Sequence, residues 1–140
     1  MIAANSALLE AAASHLGNRD GARWLVEAGF GHLDPRSAWC SAFMLYIARQ
    51  CGLAPAATAA ARSWLREGEP VALADAQPGD VVVFWRGKPG GWQGHVALLQ
   101  RTAAANAIVV LGGNQGGAVS SKSYPADRLL GIRRLHLNVR

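Results

Sequence analysis

Cysteine is scarce in this sequence of 140 residues: it occurs twice, at Cys40 and Cys51. If both lie on one helix, their separation is about 16 Å at 1.5 Å per residue, and a disulfide needs Cα atoms within about 7 Å. A disulfide framework is therefore excluded on that arrangement. Charged residues make up only 16% of the chain and form no long run of one sign, so a disordered polyelectrolyte is excluded too. No stretch of about 18 apolar residues occurs, and no transmembrane helix is expected. The opening residues lack a basic region and are interrupted by Asn5, Ser6 and Glu10, so a secretory leader is not expected either. There is no internal repeat and no low-complexity tract. Zinc-finger, helix-turn-helix and RNP-like patterns are missing, and nucleic acid is not an expected partner.

What is present describes an ordinary folded domain. Hydrophobic residues account for 51% of the chain, and a domain of roughly 150 residues buries about 68–70% of its unfolded surface without needing a metal. One domain spanning 1–140, most simply a monomer, is expected. The net charge is +5 and the pI is near 10.0. The densest basic group is Arg128, Arg133, Arg134 and Arg140, which is either a solvated face or a surface attracting polyanions.

Helical patterns come first. The spacing predicts helices over 6–16, 21–29 and 40–50, and a shorter one over 59–66, with Gly17 and Gly52 as stops. Residues 30–37 read as a loop. In the third helix Phe43, Ile47 and Cys51 recur every four residues, with Met44 widening the apolar stripe. From Gln77 onward the period changes to that of strands, over 81–85, 95–100, 107–111, 119–124 and 130–135. The glycine-rich stretch 112–117 reads as a loop. Helices followed by a run of roughly five short-linked strands indicate an α+β domain with a mostly antiparallel sheet.

Three residues carry candidate chemistry. Cys40 follows Trp39 and opens the amphipathic helix, where free N–H groups and the helix dipole favour a thiolate. The backbone N–H groups of Cys40 and Ser41 are placed to hold a developing oxyanion. His95 begins a strand after a glycine-rich loop, whose glycines either let the backbone run close to a neighbouring element or leave open a groove beside a base. By itself a histidine there also suits a plain surface or core position. His15, His32 and His136 lack that setting and are read as structural. Asn114, after the third strand, can accept an imidazole N–H and hold the ring in one tautomer. By itself Asn114 also suits a plain turn.

The motifs Ala38-Trp39-Cys40-Ser41-Ala42-Phe43, Gln77-Pro78-Gly79-Asp80-Val81, Gly94-His95-Val96-Ala97 and Leu111-Gly112-Gly113-Asn114-Gln115 occur in this order. With them the sequence resembles the NlpC-type and CHAP-type papain-like cysteine peptidases of bacteria and phages, over most of its length. The resemblance implies a permuted papain-like fold, with a nucleophilic Cys40 on a helix against an antiparallel sheet that carries His95 as base. It implies hydrolysis of a peptidoglycan amide bond, without cofactor or metal, by an endopeptidase or an N-acetylmuramoyl-L-alanine amidase. Many CHAP domains place an orienting Glu where this chain has Gly112. The third role accordingly falls on Asn114, with Gln115 as the alternative.

For substrate contacts the expected residues are Trp39, Trp85 and Trp92, whose aromatic faces suit sugars or peptide, together with Asp34 and Arg62, which either touch substrate or brace the site. Two rival functions share these features. One is an acyltransferase or deamidase using the same site; the other is a non-catalytic cell-wall-binding module. With no leader expected, action in the periplasm or cell wall implies phage lysis as an endolysin or delivery as a secreted effector. The latter would bring an immunity protein as partner.

Overall fold

The computed structural model describes residues 2–34 and 38–137. The end of the loop expected over 30–37, and Arg140 of the basic group, lie outside the described residues.

The chain runs from a short strand, β1 (Ile2–Ala3), through three helices, α1 (Asn5–Ala13), α2 (Gly21–Glu27) and α3 (Cys40–Gln50). The side chain of Asp20 caps α2 by accepting the Arg23 N–H, the usual device for satisfying an orphan donor of the first turn. The short helix expected over 59–66 is a 3-10 helix at Ala61–Arg66. Strands β2 (Glu69–Val71), β3 (Val81–Trp85), β4 (Gly94–Ala103), β5 (Ala107–Gln115), β6 (Ala118–Pro125) and β7 (Leu129–Arg134) build a six-stranded sheet in the order β2-β7-β3-β4-β5-β6. All its neighbouring strands are antiparallel. The α+β architecture with helices against an antiparallel sheet is as the sequence implies, and its five expected strands are present. β2 adds an edge strand, and β1 pairs separately with β8 (His136–Leu137). Strands of two or three residues carry no readable period, which is why these escaped the sequence.

Alternation along β3 and β4 divides the interior in two. Val81, Val83, Val96 and Leu98 turn toward α3 and pack with Phe43, Met44, Ile47, Trp24 and Trp64. Val82, Phe84, Ala97 and Leu99 turn to the opposite face and pack with Ile108, Val110 and Tyr124. Each fully buried side chain of this size contributes about 1.5–3 kcal/mol. His15, read as structural, lies edge-on to Trp24 and Tyr46 in the helical layer.

A buried polar anchor locks the helical layer to the sheet. Asp80, fully buried, accepts from Arg134 on both carboxylate oxygens at 2.8 and 2.9 Å. It also accepts from the Gln77 N–H and from the Asn5 amide on α1. Burial works against the charge of Asp80, but these donors outweigh it and hold the carboxyl below its ordinary range. The expected basic surface is thereby partly consumed. Arg134 serves Asp80, Arg133 donates to the carbonyls of Glu67 and Gly68, and Arg128 lies over the Trp85 ring.

Candidate active site

The sheet parts where α3 begins. Regular pairing of β4 with β5 ends at Leu98 and Leu111, and the start of α3 comes up against β5 beyond that point. A Cβ on Gly113 would lie 2.8 Å from both Phe43 and the Trp39 ring; only glycine lets the strand pass the helix this closely. Cys40 is the first residue of α3 and is 3% exposed. Its sulfur faces the N–H groups of Val96, Ser41 and Cys40 itself, with the charge of Arg86 nearby. Burial is the largest influence and pushes the thiol above its ordinary 9.0, while those N–H groups and Arg86 pull the other way. The Ser41 side chain is spent on structure, donating to the Thr58 carbonyl and accepting from Trp64 Nε1. Its N–H remains the part directed at the sulfur.

His95, fully buried, lies on β4 next to Val96. Its ring stacks on Tyr124 at 5.1 Å between centroids, and Tyr124 stacks in turn on Phe84. Nε2 of His95 stands 2.8 Å from Oε1 of Gln115. The orientation of the Gln115 amide is determined, because its nitrogen donates to the carbonyls of Val110 and Ser120. Oε1 must therefore accept from His95, which puts the ring proton on Nε2. Nδ1 meets Nη2 of Arg86 at 3.2 Å. An arginine only donates, so the Nδ1 lone pair is the acceptor. Burial above all, then the charges of Arg86 and Lys122, depress the imidazole pKa to about 4 despite the Gln115 bond that raises it. At neutral pH both groups rest uncharged, Cys40 as a thiol and His95 as a neutral imidazole.

Gln115, the alternative, meets the imidazole in place of Asn114, the residue expected first. Continuing the register of Leu98 with Leu111 would set His95 opposite Asn114. The strand does not continue that way: Asn114 has a φ of 58°, and the pairing of β5 with β6 shifts register between Gly112 and Gln115. Such a bulge re-aims the following side chain. The segment 112–115, read as loop, is the end of β5, and its twist delivers Gln115 to the ring. Gly112 completes the arrangement. A Cβ there would lie 2.7 Å from Ala97 and 3.2 Å from Gln115 Oε1, so the space of a longer side chain is already filled by the glutamine.

A cleft of about 530 Å³ opens over Cys40, with Leu33, Ala60, Arg86 and Trp92 among its lining residues. Of the expected substrate residues, Trp92 alone is in this lining; it is 78% exposed. Trp39 is 5% exposed and belongs to the core, against Gly21 and Gly113. It seats the helix and does not face the cleft. Trp85 is half-buried and directed away, its Nε1 donating to the Asp127 carbonyl. Arg62 braces: its guanidinium donates to the carbonyls of Lys88, Pro89 and Gln93, clamping the loop that carries Trp92. Asp34 is outside the lining of the cleft. Arg86 escaped the sequence reading. It follows β3 without any motif, and its place is given only by the pairing of Trp85 with Gly94.

This combination of a helix-start cysteine with a buried histidine on an antiparallel sheet is the arrangement of a papain-like α+β fold. The family described as CHAP domain matches residues 32–114, more than half of the chain, and the chain belongs to that family. Two solved structures resemble it over nearly its whole length. One is a lipoprotein-like protein of the NLP/P60 family from Staphylococcus aureus, with a TM-score of 0.59, 19% identity and 95% of this chain covered. The other is the peptidoglycan hydrolase RipB from Mycobacterium tuberculosis, with a TM-score of 0.61, 16% identity and 96% covered. This chain spans 41% of the first and 66% of the second. No curated protein sequence matches it.

Proposed function

We propose that this domain hydrolyses an amide bond of peptidoglycan, with Cys40 as nucleophile, His95 as base and Gln115 as the residue that orients the base. The reading rests on one observation above the others: Gln115 Oε1 at 2.8 Å from His95 Nε2, beside a cleft floored by the first residue of a helix. Membership of the CHAP family and the likeness to a structure titled a peptidoglycan hydrolase support the substrate class. Nδ1 takes the proton from the Cys40 thiol, and the thiolate attacks the carbonyl carbon. In this reading the N–H groups around the sulfur hold the oxyanion that develops. The imidazolium returns the proton to the leaving amine, and water resolves the thioester. The cleft, with alanine and leucine walls and the exposed Trp92 at its lip, accommodates a peptide stem carrying small side chains.

Purified peptidoglycan tests this directly. Cys40→Ala abolishes release of soluble fragments while circular dichroism and melting stay native-like. Lysis retained in that variant refutes the assignment. Mass spectrometry of digested muropeptides identifies the new termini, separating endopeptidase from muramoyl-alanine amidase. Transfer of the acyl group to an added amine, with no hydrolysed product, would favour the acyltransferase reading. Delivery to the wall as an endolysin or as a secreted effector is tested by asking whether lysis from inside a host cell requires a co-expressed membrane pore.

A further inference from the structure

Nε2 of His95 is committed to Gln115, whose amide is itself tied to Val110 and Ser120. Only Nδ1 remains to take a proton from a nucleophile. Yet Nδ1 is occupied, by the guanidinium of Arg86 at 3.2 Å. A permanently cationic donor on that lone pair forbids protonation there for as long as it stays. The resting site is thus arranged with its base blocked. The same guanidinium lines the cleft together with Cys40, Trp92 and Gln93. None of the described lining residues is acidic, and the described ion pairs do not include Arg86. A half-buried guanidinium set beside the Tyr124 phenol and bonded to a neutral imidazole, open to an apolar cleft, lacks the planar carboxylate that best fits its fork.

We propose that Arg86 is the substrate-sensing residue of this site: a carboxylate on the substrate, next to the scissile amide, draws the guanidinium off Nδ1 and so releases the base only when the correct substrate is bound. This rests on the hydrolase reading above and deepens it, since it assigns to the substrate a free acidic group beside the cleaved bond. The chemistry is a proton relay with no oxidant or reductant. Arg86 exchanges an imidazole acceptor for a carboxylate, the thiol proton passes to the freed Nδ1, and the thiolate attacks. Among the described residues, the charged and titratable groups facing His95 are Arg86 after β3 and Lys122 and Tyr124 on β6, with Cys40 on α3 acting on Tyr124. Lys122 lies over the Tyr124 ring and is outside the lining of the cleft, so Arg86 is the cation of this group that a substrate reaches.

The test compares two muropeptides that differ only in the group beside the scissile amide, a carboxylate in one and a carboxamide in the other. The wild-type domain prefers the carboxylate by roughly tenfold or more in kcat/KM, and Arg86→Gln loses that preference. Arg86→Lys, which keeps the charge without the fork, retains only part of it. Equal use of both substrates by the wild type overturns the proposal and leaves the hydrolase reading standing; this comparison needs no variant to fold. A second arm needs no hydrolysis at all. Cys40 is alkylated with iodoacetate and with iodoacetamide, and Cys51 serves as the internal reference. The iodoacetate preference at Cys40 exceeds that at Cys51 and falls about threefold or more in Arg86→Gln; an unchanged ratio overturns the role of Arg86. Absence of cleavage of either muropeptide, with the alkylation ratio as expected, sinks the hydrolase reading and keeps Arg86 as a carboxylate sensor. The His95 imidazole, followed by NMR, titrates above about 4 in Arg86→Gln; an unchanged titration overturns the contact of Arg86 with Nδ1.

Discussion

Gln115 and His95 are joined across two strands whose regular pairing has already stopped: Oε1 meets Nε2 at 2.8 Å beyond the last matched pair, Leu98 with Leu111. The contact holds the imidazole in the tautomer that leaves Nδ1 as the acceptor. Gln115→Ala is expected to lower kcat by on the order of 100-fold, the lower end of what a positioned base contributes, with KM little changed. Asn114→Gly is expected to cost no more than about twofold, since glycine accepts the same positive φ. Steady-state kinetics on a defined muropeptide decides between them, and the opposite order would return the third role to Asn114.

Cys40 sits at a helix start, but burial prevails there and raises its thiol above 9.0. Alkylation by iodoacetamide is therefore expected to keep rising through pH 9 in the free protein. A resting thiolate–imidazolium pair would instead give a plateau near neutrality. Rates of Cys40 modification between pH 5 and 10, read by mass spectrometry, distinguish the two.

The buried imidazole links stability to pH. His95 titrates at about 4 in the folded chain against an ordinary 6.5. Between these values the unfolded chain binds the proton and the folded chain does not, so stability falls as pH drops through that window. The loss amounts to roughly 3 kcal/mol when complete. In His95→Gln this slope is expected to vanish, whatever the variant's absolute stability. Urea midpoints measured from pH 7 to 4 provide the check.

Asp80 behaves differently. Its carboxyl is held below the ordinary 3.8, so its contribution is complete above that value and is lost as pH falls below it. Asp80→Ala leaves Arg134 and the Asn5 amide without their acceptor and is expected to destabilise by roughly 3 kcal/mol. Thermal melts at pH 7 measure this. A loss of activity without a loss of stability would point to a role in the site instead.

Much of the architecture was legible in residue order. Helical spacing marked α1 to α3, β-branched runs marked the five long strands, and the Trp39-Cys40-Ser41 start and Gly94-His95 step marked the nucleophile and base candidates. Local chemistry carries these signals, because side-chain period and turn residues act over a few positions. Trp39 and Trp85, expected at the substrate, do not line the cleft, because an aromatic near a motif in sequence is equally able to turn inward. Which way it turns depends on what packs opposite, here Gly21 and Gly113 for Trp39.

By itself the sequence determined that an α+β domain forms, with a cysteine at a helix start and a histidine at a strand start. The tertiary structure alone decided which partners those two residues have. Gln115 replaces Asn114 because a positive φ and a shifted register rotate the end of β5. Arg86 reaches Nδ1 because antiparallel pairing of β3 with β4 sets Phe84 opposite His95 and Arg86, two residues on, opposite Gln93, a diagonal step from the imidazole. Both are contacts between segments distant in sequence or turned by a bulge. No local pattern encodes them, since they exist only once the strands have paired.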